Sequence, residues 1–146
     1  MKVADASTSV ANLAPRLRIA VTKLNRRLRS NALGGISPAQ ASALSMIERL
    51  GSPALNTLAA AEQVRPPSMT RIVDALESDG LVERRVDEAD RRSSRVSVTA
   101  AGRRELTTIR SRKTAFLERR LAALSEADRT AVANALEILE RLAEEQ

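Results

Sequence analysis

The chain has 146 residues, 43% of them apolar and 29% charged, a balance suited to one folded domain with extensions. It contains no His and no Cys, which excludes Ser–His–Asp and Cys–His catalysis, ordinary zinc sites, iron–sulfur ligation and thiol redox sensing. The net charge is +6, and residues 1–36 hold seven Lys/Arg against one Asp; this balance suits a polyanion partner, and equally a solvated helix face.

The single aromatic residue, Phe116, leaves the core to aliphatic side chains. Such a core is thin for a monomer of this length and points to helices shared between subunits. No apolar run approaches the roughly 20 residues needed to span a bilayer, and Met1 to Asn12 lacks a basic-then-apolar leader pattern. A cytoplasmic protein without a membrane partner is expected.

Val10, Leu13, Leu17, Val21, Leu24 and Leu28 recur at spacings of three and four, which predicts a long amphipathic helix ending near Asn31 to Gly35, where two glycines stop it. Ser37-Pro38-Ala39-Gln40 then supplies a cap, a first-turn proline and a capping-box partner. The helix it opens carries Ala43, Leu44, Ile47 and Leu50 and breaks at Gly51-Ser52-Pro53. A short helix around Thr57 to Gln63 follows. Pro66-Pro67 marks the start of another, with Met69, Ile72, Val73 and Leu76 on its apolar face and Gly80 closing it. Short helices joined by a tight turn, the last with a polar outer face, form a helix-turn-helix pattern.

The periodicity then changes from helical to alternating. Val82, Arg84 and Val86 alternate with Glu83 and Arg85; Val96 and Val98 alternate with Ser97 and Thr99. With the polar run 87–92 between them they read as a β-hairpin, a charged helical segment being the alternative. Thr99 can cap a helix running through Leu106, Ile109 and Phe116 to about Leu124. Ser125 with Asp128 can cap a last one, whose Val132, Leu136, Leu139 and Leu142 repeat at near-heptad spacing. The fold class expected is mainly α with a small β-hairpin wing: a winged helix-turn-helix over residues 37–105, flanked by helical dimerisation segments at 1–36 and 106–146. The first and last helices carry apolar stripes wider than one such domain can cover. They either pair between subunits or fold back on their own domain.

With Met69 inward, Pro67, Arg71, Asp74 and Ser78 face outward, flanked by Ser68 and Thr70. Hydroxyls of Ser68 and Thr70 can meet bases or phosphates, and Arg71 can pair with guanine or with phosphate unless Asp74, one turn away, holds it. At the hairpin tip Arg91 and Arg92 sit beside Asp87 and Asp90. This is either a solvated turn or a narrow, Arg-tipped hairpin fit for the minor groove, with Asp90 bracing one arginine.

Leu58-Ala59 through Val64, the run from Pro66 to Glu77, Gly80-Leu81-Val82-Glu83-Arg84, Asp87, Asp90-Arg91-Arg92, and Val96 to Gly102 together closely resemble the MarR family of bacterial regulators, and the flanking helices match in order and length over residues 10–145. The resemblance implies a homodimer presenting two winged domains to a pseudo-palindrome in double-stranded DNA. It implies Ser68, Thr70 and Arg71 in the major groove, and Arg92 in the minor groove oriented by Asp90. Arg65 stands where the family often has a Ser cap, losing a cap and gaining a phosphate contact. Many family members bind small, often aromatic acids in a cleft between the dimer region and the DNA-binding lobes. Arg16, Arg18, Lys23 and Arg26 are candidate anion partners, and nothing in the sequence chooses among them. No catalytic residue, cofactor or metal is expected. A ligand-responsive repressor, nucleoid-associated when on its operator, is the expected function. A winged-helix protein-interaction module without an operator is the alternative, and an enzyme built on Asp, Glu and Lys has no motif to support it.

Overall fold

The computed structural model describes residues 8–144. Six helices and one hairpin follow in the order α1 (Val10–Ala32), α2 (Pro38–Leu50), α3 (Leu55–Ala61), α4 (Pro66–Ser78), β1 (Val82–Val86), β2 (Ser94–Val98), α5 (Ala100–Ala122) and α6 (Glu126–Ala143). The alternation of residues 82–99 therefore makes an antiparallel hairpin, not a helix, with Val82 opposite Val98 and Arg84 opposite Val96.

The caps explain where the helices begin. The Ser37 hydroxyl accepts from the Gln40 N–H at 3.2 Å while the Gln40 side chain accepts from the Ser37 N–H at 2.7 Å, satisfying two end-of-helix donors reciprocally. Thr99 accepts from the Gly102 N–H at 3.1 Å, and Ser125 from the Asp128 N–H at 3.1 Å. The end of α1 departs from expectation. Its C-cap is Leu33 in an extended conformation, and neither Gly34 nor Gly35 has a positive φ. The helix stops in the anticipated place by straightening, without a left-handed glycine. Gly34 instead makes room: a Cβ there would lie 2.6 Å from a guanidinium nitrogen of Arg112, which donates to the Ala32 carbonyl at 3.3 Å.

The core is aliphatic, as the composition requires. Leu44 and Ile47 of α2, Leu58 of α3, and Met69, Val73 and Leu76 of α4 pack with Leu81, Val82, Val96 and Leu106. Ile72 is only partly buried at its edge. Phe116 lies apart on α5, buried, with the Arg120 guanidinium 5.3 Å from its ring centre. Leu106 belongs to the core of the winged unit while the same helix α5 runs on to pack along α1, so one continuous helix joins the two parts.

A tight corner holds α4, β1 and α5 together. Gly80 (φ 73°) ends α4 in the left-handed region, where glycine has no steric cost. The Leu81 carbonyl accepts the Thr99 N–H at 3.0 Å, and the Gly80 carbonyl accepts the Thr99 hydroxyl at 2.6 Å. Gly102 in the first turn of α5 is pressed against this corner. A Cβ there would sit 2.1 Å from the Leu81 carbonyl oxygen.

α6 buries none of its described residues. Val132, Leu136, Ile138, Leu139 and Leu142 are exposed along it, as are Val10, Leu13, Ile19, Val21 and Leu24 along α1. α6 therefore does not fold back over its own domain.

Candidate nucleic-acid interface

α4 begins at Arg65, whose side chain caps nothing. Pro66 and Pro67 occupy the first two helical positions and carry no N–H, so of the two donors a Ser cap would reach, at the second and third positions, only the Ser68 N–H remains. No acid stands in the first turn, which leaves the positive end of the helix dipole unopposed. Arg65, Ser68 and Arg71 are exposed around this end. Thr70 is half-buried and its hydroxyl donates to the Pro66 carbonyl at 3.0 Å, so it meets a partner as an acceptor.

Asp74 does not hold Arg71. Its carboxylate forms an ion pair with Arg84 on β1, whose Nε also lies 3.7 Å from Glu77. Register explains the pairing: Arg84 alternates onto the face of the hairpin turned to α4, where an exposed strand position would otherwise leave its stem unsupported. Among the described residues Arg71 makes no ion pair.

The wing tip is closed by its own backbone. The Asp87 N–H donates to the Ser93 carbonyl at 3.0 Å and the Ser93 N–H to the Asp90 carbonyl at 2.9 Å. The Asp90 carboxylate accepts the Arg92 backbone N–H at 3.1 Å. The expectation that Asp90 braces an arginine side chain is thus corrected: it fixes the loop backbone that carries Arg92, while Arg91 and Arg92 stay exposed and form no ion pair among the described residues. Asp87 does the bracing. It accepts from the Ala89 N–H at 2.9 Å and from Arg95 Nε at 3.0 Å. The Ala89 N–H first, and the Arg95 guanidinium with it, hold the Asp87 carboxyl below its ordinary pKa. Arg95 also donates to the Ser52 carbonyl at 2.9 Å, and the Val96 N–H to the Pro53 carbonyl at 3.0 Å, which ties the wing root to the turn before α3. Arg84 and Arg95 were not singled out from the sequence: across the hairpin they face Val96 and Arg85, and their acid partners, Asp74 and Asp87, lie off the strands.

Residues 36–94 match the model of the MarR family. The chain is 36% identical over 138 residues to an HTH-type transcriptional regulator of Mycobacterium tuberculosis, covering 94% of this chain and 96% of that one. It is also similar to a Pseudomonas aeruginosa protein solved as a proposed transcriptional regulator, with 36% identity, a TM-score of 0.78, and 93% and 97% of the two chains covered. The chain belongs to the MarR family. MarR regulators are winged helix-turn-helix proteins of transcription, and this one is a regulator of that kind, not an enzyme. S. aureus MepR, solved bound to an oligodeoxyribonucleotide, shares the fold at 20% identity and a TM-score of 0.69, over 89% of this chain and 97% of that one.

A cleft of about 230 Å³ lies where α1, α2 and α5 meet. Arg29 and Leu33 of α1, Ser42, Met46 and Arg49 of α2, and Ile109, Arg110 and Lys113 of α5 line it. Arg110 is engaged by Glu48, and Glu62 accepts the Ser42 hydroxyl at 2.6 Å. Arg16, Arg18 and Lys23 do not line this cleft; Arg26 lines an adjoining groove with Arg29, Leu33 and Pro38. The four arginines and lysines named from the sequence are thus not gathered into one site. Among the described residues no helix is long and apolar enough to cross a membrane, and no three acidic side chains cluster as a metal site would need.

Proposed function

We propose that this MarR regulator is a repressor that acts as a homodimer on a pseudo-palindromic operator and leaves it when a small organic anion, of the aromatic-acid kind, binds. The observation that carries the reading is electrostatic: the outer face of α4 and the tip of the wing, on one packed unit, expose Arg71, Arg91 and Arg92 without ion pairs among the described residues, while Asp74, Asp87 and Asp90 are each turned to other partners. Ser68, Thr70 and Arg71 meet the major groove and Arg65 a phosphate beside it; Arg92, with Arg91 beside it, enters the minor groove. The uncovered apolar faces of α1 and α6 support pairing with a second copy, residues 1–36 and 106–146 forming the dimer region and 37–105 the DNA-binding lobe. Half-sites are then spaced by about one helical turn, roughly 10 base pairs between centres. Repression is steric, a dimer occupying the polymerase's site. The cleft supports the effector reading, since Arg29, Arg49 and Lys113 line it without ion pairs among the described residues. A ligand that fits only lobes at the wrong spacing releases DNA by its differential affinity for that state.

Anisotropy of labelled DNA from the gene's own neighbourhood, compared with scrambled DNA at fixed salt, tests the reading. The label belongs on the DNA because the chain has no Trp or Tyr. Specific binding about 10³-fold or more tighter, and weakened in Arg92→Ala, is expected. Equal, weak binding to every sequence recovered by genome-wide selection would overturn it.

A further inference from the structure

Arg84 stands on the hairpin, not on α4, yet each of its polar contacts is with α4. Its guanidinium is paired with Asp74, its Nε is 3.7 Å from Glu77, and an Nη lies 3.5 Å from the Thr70 carbonyl. The Arg84 side chain is 25% exposed against 56% for Asp74, so the cation lies beneath the helix and draws the carboxylate down toward it. Asp74 follows Arg71 by three residues, a spacing that makes the two neighbours on the helix surface. Without Arg84, the Asp74 carboxylate has one cation within a turn, Arg71, and any of it left unpaired would stand among DNA phosphates as a like charge.

Resting on the regulator reading above, we infer that Arg84 is a positioning residue for DNA binding: by holding Asp74 against the hairpin it keeps Arg71 free for DNA. The Arg84 side chain itself touches no DNA in this account. Its effect is carried by where it places the charge of Asp74. This differs from a simple brace between α4 and β1, which would need Asp74 as much as Arg84.

The experiment titrates the full-length wild type, Arg84→Gln, Asp74→Asn and the double variant against a labelled duplex that the wild type has selected from a random pool, at fixed salt, with helical content checked by circular dichroism. Arg84→Gln is expected to lose about tenfold in affinity, the effect of withdrawing one arginine contact. Asp74→Asn should bind as the wild type does. The double variant, lacking the ion pair altogether, should recover most of the loss. A double variant as weak as Arg84→Gln, or an Asp74→Asn protein that is equally weak, would overturn the inference and leave a brace. Should Arg84→Gln lose its helical signal, Asp74→Asn decides alone: retained affinity supports the inference and a tenfold loss overturns it. A wild type that selects a sequence while Arg84→Gln binds it equally well overturns this inference only. A wild type that selects nothing overturns the regulator reading and this one with it.

Discussion

Replacing Gly102 by Ala tests the corner that joins α4, β1 and α5. The added methyl would stand 2.1 Å from the Leu81 carbonyl oxygen and 2.7 Å from a methyl of Val98. Carbon and carbonyl oxygen approach to about 3.3 Å at closest, so the backbones must part by about 1 Å. The Leu81 carbonyl cannot simply swing aside, because it accepts the Thr99 N–H at 3.0 Å. Overpacking of this kind costs about 1–3 kcal/mol, and a weakened hydrogen bond adds about 1 kcal/mol. Ala favours a helix over Gly by up to about 1 kcal/mol, which opposes the loss without cancelling it. The net expectation is destabilisation by about 1–3 kcal/mol, a fall in Tm of roughly 2–12 °C followed by circular dichroism at 222 nm. A Gly102→Ala protein melting at or above the wild-type temperature would mean that α5 is not pressed on this corner, and the account of how the wing is held to α5 would fail.

Leu139→Glu puts a charge on the exposed stripe of α6. Burying a leucine is worth about 1.5–3 kcal/mol and two-fold symmetry counts the loss twice, so the dimer dissociation constant should rise by about 10²-fold or more in sedimentation equilibrium; a wild type that is already monomeric at micromolar concentration would contradict the proposed pairing. The Asp87 carboxyl, followed by NMR, should titrate below the ordinary value of about 3.9. Its folded-state pKa being lowered, the stabilisation it contributes is full above the unfolded value and fades as pH falls through the folded one, so the wing loosens only in acid; Arg95→Met should raise the midpoint part of the way, because the Ala89 N–H, the largest single cause, remains. Ser37→Ala removes the capping box and should cost about 1 kcal/mol in denaturant melts, with the slope unchanged.

Local chemistry made much of the fold legible. Ser37 to Gln40 encodes a cap within four residues, Pro66-Pro67 a helix start within two, and the alternation from Val82 to Val86 a strand, because each rests on contacts between near neighbours. The outward face of α4 was legible for the same reason: with Met69 inward, Arg71 must point away. Partnerships across the chain were not legible. Asp74 has Arg71 three residues away and Arg84 ten residues away, and only the folding of the hairpin under α4 decides for Arg84. Asp90 and Arg92 are neighbours in sequence, yet the short Asp side chain reaches the Arg92 N–H, not its distant guanidinium. The ion pair of Glu48 with Arg110 joins positions 62 apart and belongs to a cleft that no single segment announces.

α5 is a single helix of 23 residues, about 34 Å long at 1.5 Å per residue. One end is fastened at Gly102 against the corner of α4 and β1, and its far half lies on α1. A rigid rod that joins two packed units carries a rotation from one to the other: a tilt of about 5° about the α1 end swings the other by about 3 Å, close to the rise of one base pair in the duplex. A tilt at α1 of this size would therefore be felt at the wing with every helix intact, and its reach grows with the number of residues in α5.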